Sequence, residues 1–144
     1  MTPSRQRWVP TVILLAAVYL IVGLVFAALA GSAGSNQIRV AWRLAAFAAS
    51  ALAFGAHIWY EHSRLRNTPR TIAWHAAAAV ALGAFALAGA ANVHGHFVGS
   101  GNPRLLVVAF IAWPLLCGLP AFVVALGAAA GLRSMRHEQN ANSS

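Results

Sequence analysis

Four long apolar runs, separated by short polar breaks, constrain this chain more than any other feature. Val9 to Ala30 carries no fixed charge, and Ile38 to Tyr60 carries only Arg39 and Arg43, both near its start. Thr71 to Val93 holds only His75, and Leu105 to Leu132 has no ionisable group except Cys117. A hydrocarbon core about 30 Å thick takes roughly 20 apolar helical residues to cross, and every run meets that length. Only helices and closed barrels satisfy their own backbone in lipid, and runs this long without two-residue alternation read as helices. The breaks read as turns: residues 31–36 are small and polar, residues 61–70 are charged and end in Thr68-Pro69-Arg70, and residues 95–103 are Gly-rich. The sequence therefore predicts an all-α fold, an integral membrane antiparallel four-helix bundle. It forms one domain over residues 9–132, with helices over 9–30, 38–60, 71–93 and 105–132. Residues 1–8 precede it, and 133–144 read as a disordered polar tail. Ala28-Leu29-Ala30-Gly31 has the form of a signal-peptidase site, but the apolar run before it is long for a signal peptide, so the reading keeps helix 1.

Orientation follows from the arginines, because short cytoplasmic segments retain positive charge. Arg5, Arg7, Arg64, Arg66, Arg70, Arg133 and Arg136 fall on one side, and Arg39, Arg43 and Arg104 on the other. The N and C termini are therefore expected in the cytoplasm of a bacterial-type inner membrane. The formal charge of +8 does not indicate nucleic acid, since the arginines flank apolar spans and form no long basic face. The expected partners are the lipid bilayer and its anionic head groups, together with a second copy or a larger membrane complex.

Composition narrows the chemistry. There is no Lys and no Asp, and the only acids are Glu61 and Glu138. Magnesium-phosphate sites, aspartyl dyads and glycosidase pairs all need carboxylates brought together, and Schiff-base chemistry needs a Lys. With 33 Ala and 12 Gly, helix backbones can approach closely where lipid supplies no hydrophobic drive between them. Gly23, Ala27 and Gly31 on helix 1, and Gly127 and Gly131 on helix 4, form small-residue rows expected to pack within the bundle or between copies. Pro114 and Pro120 are expected to kink or tilt helix 4.

Helix 2 carries the most informative pattern. Arg43, Phe47, Ser50, Phe54, His57 and Glu61 recur at alternating spacings of four and three, which puts them on one face. Ionisable groups at membrane depth are costly unless they face protein or water, so the stripe Arg43, Ser50, His57, Glu61 should face the bundle interior or a partner. His57 and His75 lie equally far from the middle of the loop joining helices 2 and 3, which places them at one depth. Two histidines so placed are candidates for cofactor binding: bis-imidazole ligation of haem b, or a quinone hydrogen-bonded by His57 with Glu61 relaying a proton. His94 and His96, at the outer end of helix 3, are candidate metal ligands, although they supply only two donors and no acid or Cys lies on that side. Gly95 between them reads as the helix stop.

Three function classes survive. The leading one is a non-catalytic membrane subunit or scaffold packing through Ala/Gly-rich faces. The second is an electron-transfer protein holding haem b or quinone at His57 and His75. The third is a proton or ion conduit lined by the helix 2 stripe.

Overall fold

The computed structural model describes residues 8–98 and 103–142. The chain forms four helices packed together, α1 (Trp8–Gly31), α2 (Asn36–Ser63), α3 (Pro69–Val98) and α4 (Pro103–Asn142), with no strand among the described residues. All four are long and apolar enough to cross a membrane.

The helix ends are set by local chemistry. Ser35 caps α2, its hydroxyl accepting from the backbone N–H of Ile38 at 3.3 Å. Thr68 does the same for Thr71 at the start of α3, where Pro69 occupies the first turn and needs no N–H partner. Past the end of α1, the Ser32 N–H reaches the Ala28 carbonyl at 3.0 Å, and the Arg39 Nε–H donates to the Ala30 carbonyl at 3.4 Å. Two expectations at helix ends differ from the structure. The backbone is helical through Asn142 where residues 133–144 read as disordered, and α3 runs through Gly95 to Val98 instead of stopping there. In both cases a helix already nucleated by its span needs only one further hydrogen bond per residue to continue, which outweighs a weak breaker signal. Pro114 and Pro120 lie inside one continuous α4.

α3 is the central helix. It packs along both α1 and α4, while α2 lies along α1 and meets α3 and α4 over a short stretch. Close approach occurs at Gly23 of the small-residue rows and, more tightly against backbone, at glycines outside them. A Cβ on Gly83 would stand 2.8 Å from the Tyr19 Cβ and 3.2 Å from the Ala16 carbonyl oxygen of α1. One on Gly118 would stand 3.2 Å from the Ala81 Cβ of α3. Gly31, Gly127 and Gly131 face open space, and Gly23 meets only the flexible end of Leu87. The best-buried cluster is Ile58, Ile72, Ala73, Ala76, Ala125 and Ala129, joining α2, α3 and α4 at the end of the bundle that holds the α2–α3 turn. Elsewhere large apolar side chains point outward on every helix, Leu14, Leu52, Phe85 and Leu116 among them.

Candidate functional site

The stripe on α2 divides into two halves. At one end His57 and Glu61 are buried, with Glu61 wholly inaccessible. They are one turn apart on the same face, so the His57 Nε2 reaches Glu61 Oε1 at 3.1 Å. From α3, His75 Nδ1 lies 2.7 Å from Oε1 and 3.0 Å from Oε2 of the same carboxyl group. From the turn, Asn67 Nδ2 donates to Oε2 at 3.0 Å. A carboxylate only accepts, so His57 Nε2 and His75 Nδ1 carry the hydrogens of these bonds. Glu61 is thus held by three donors from its own helix, the next helix and the turn between them. Such satisfaction is what a buried charge requires.

The turn is shaped to deliver Asn67. Its N–H returns to the Glu61 carbonyl at 3.3 Å, and Arg66 before it takes the left-handed conformation, with φ of 50°. A non-glycine residue there costs roughly 1 kcal/mol, and the two Asn67 bonds help to hold it. On the outer side of the cluster the Trp8 ring stacks on His75, with centroids 5.2 Å apart and planes within 2° of parallel. Neither Asn67 nor Trp8 stands out in the sequence, where a turn amide and an interfacial tryptophan are ordinary. One polar atom of the cluster is unmatched: His57 Nδ1 is buried without a hydrogen-bond partner among the described residues.

This arrangement bears on each sequence expectation. The structure brings His57 and His75 together, but both nitrogens converge on one carboxylate oxygen. That oxygen occupies the place an iron and its macrocycle would need, so the pair does not fit bis-imidazole haem ligation through these atoms. Among the described residues no three His, Cys, Asp or Glu side chains are arranged to hold a metal ion. His94 is exposed, and the side chain of His96 lies outside the described residues.

The other half of the stripe does not face α3. Arg43 and Phe47 are exposed and Ser50 is half-buried, because α2 meets α3 and α4 only over a short stretch, around Phe54 and Ile58. Ser50 is seven residues from His57, roughly 10 Å along the axis, with apolar Ala53 and Phe54 between them. The two halves are therefore separate features. Arg43 and Phe47 instead border a partly open cleft of about 730 Å³, which also takes in Arg39, Phe26, Leu87 and Trp113.

No protein-family model, curated protein or solved structure matches this chain.

Proposed function

We propose that this chain is a four-span integral membrane protein of the bacterial inner membrane, with both termini in the cytoplasm, acting as a non-catalytic subunit or scaffold. The observation that carries this reading is the closure of the Glu61 cluster. Glu61 accepts from His57, Asn67 and His75, so this buried acid and both histidines at its depth are engaged with one another as a helix-to-helix fastening. Its role in this reading is to fasten α2 to α3. Support for the membrane comes from the four apolar helices and from the large apolar side chains on their outer faces, which suit lipid and poorly suit water. The arginine asymmetry supports the orientation.

The test is made on protein purified in mild detergent from its native membrane. The reading expects no Soret band in oxidised or dithionite-reduced spectra, no proton flux in proteoliposomes above protein-free vesicles, and a complex of fixed stoichiometry larger than the monomer. A Soret band lost in His75→Ala would replace it with a haem protein. Flux abolished by Glu61→Gln would replace it with a conduit.

A further inference from the structure

The cleft at the opposite end of α2 from Glu61 combines two cations with an apolar trough. Arg39 and Arg43 sit one turn apart on its α2 wall, Phe47 follows on the same wall, Phe26 stands across it on α1, and Leu87 and Trp113 close it from α3 and α4. The small residues Gly23 and Ala27 keep the α1 wall shallow. Its volume, about 730 Å³, lies within the roughly 300–1,000 Å³ of ordinary ligand pockets. Arg39 is tied to the Ala30 carbonyl, whereas Arg43 has no hydrogen-bond or ion-pair partner among the described residues. No acid lines the cleft. Glu61 is 18 residues from Arg43, roughly 27 Å along the helix.

Depth decides what such a site would take. α2 has 28 residues and is about 42 Å long, so centred in a core of about 30 Å it reaches some 6 Å beyond each face. Arg39 then lies at head-group level, and Arg43 starts about 5 Å inside the hydrocarbon. The Arg43 side chain is long enough to rise to the boundary, with its stem along the apolar wall. Two guanidiniums at phosphate level above an apolar trough match an amphiphile with an anionic head and a hydrocarbon tail.

We infer that the cleft binds one anionic phospholipid, its phosphate held by Arg39 and Arg43 and one acyl chain lying along Phe26, Phe47 and Trp113. The inference rests on the membrane-spanning reading above. Arg43 supplies the selectivity, since it has no partner to leave, and Arg39 adds a second donor from a position already fixed by the α1 carbonyl.

The probe is tryptophan quenching in nanodiscs containing phosphatidylglycerol or phosphatidylcholine with brominated acyl chains. Trp113 lines the cleft, while Trp59 and Trp74 are exposed at the other end of the bundle, where any surrounding lipid reaches them. The component lost in Trp113→Phe reports the site. That component should saturate at one phosphatidylglycerol per chain with at least tenfold preference over phosphatidylcholine, and Arg43→Gln should cut the preference to twofold or less. Arg43→Lys should retain part of it, which separates loss of charge from loss of fold, and Arg133→Gln at the far end should leave it unchanged. Equal quenching of Trp113 by the two lipids would overturn the site, as would displacement by inorganic phosphate or protection of Trp113 in a dimer that forms without lipid. Absence of quenching at every tryptophan, Trp59 and Trp74 included, would overturn the membrane-spanning reading itself and the site with it.

Discussion

Replacing Glu61 by Ala removes the acceptor on which three donors converge, and the size of the loss tests whether the cluster fastens α2 to α3. A hydrogen bond to a charged group contributes about 1.5–3 kcal/mol, and removing one partner of a buried ionic set costs about 3–5 kcal/mol. Side-chain bonds between membrane helices are weaker, averaging about 0.6 kcal/mol with a maximum near 1.7, because helices that part within the bilayer find other partners. The first range governs here. His57 is buried and its Nδ1 is already unmatched, so losing Glu61 leaves a whole imidazole without a bond. Glu61→Ala should therefore cost about 3 kcal/mol, His75→Ala about 1.5 and Asn67→Ala about 1 or less. Since the carboxylate is shared, Glu61→Ala/His75→Ala should cost little more than Glu61→Ala alone, giving a coupling of at least about 1 kcal/mol. The assay is reversible unfolding by sodium dodecyl sulfate in mixed micelles, followed by tryptophan fluorescence and helical circular dichroism. A Glu61→Ala loss below about 0.6 kcal/mol, the ordinary bilayer value, would refute the argument.

Further outcomes follow from the same packing. Gly83→Ala drives a methyl group into Tyr19 and the Ala16 carbonyl and should cost about 1–3 kcal/mol in that assay; Gly127→Ala, which meets nothing, should be neutral or stabilising by up to about 1 kcal/mol. Tyr19→Phe removes a buried hydroxyl that has no partner and should raise stability by about 1 kcal/mol. Trp8→Leu should cost about 0.5–1.5 kcal/mol through the lost stack on His75, and little in a His75→Ala background.

Much of this architecture is legible in the sequence because lipid-crossing length and charge avoidance are strong, local signals. The four helices follow from the runs around Leu14, Leu52, Ala78 and Leu116. The meeting of His57 with His75 follows from equal distance to a short turn. What the residues do not reveal is which faces meet. Small residues permit approach without naming a partner: of the row glycines Gly23 packs against Leu87 while Gly31, Gly127 and Gly131 meet nothing, and the other close approaches fall at Gly83 and Gly118. The alternating stripe likewise reads as one surface. It becomes two because α2 meets α3 and α4 only over the short stretch that holds Phe54 and Ile58, and an Ala-rich helix gives no signal of where such contact ends. Asn67 was hidden for a different reason: its part depends on Arg66 turning left-handed, a conformation that nothing in Arg66-Asn67-Thr68 demands.

The two kinds of adhesion in the bundle also do different work. Ala and Gly surfaces bring α1, α3 and α4 close through dispersion, which changes little when one helix slides or turns against the next. A buried carboxylate is not so tolerant. Turning α2 by one residue swings Glu61 through about 100°, away from His75 and Asn67, and leaves a charged group without the donors that hold it. His57, one turn before Glu61 on the same face, steadies the carboxylate before α3 arrives, so the acid is presented in the orientation that His75 needs. One such cluster fixes rotation and register together, and a second acid in the spans would need its own set of donors. On this reasoning the single acid within the apolar spans is what makes an otherwise slippery Ala-rich helix take one position.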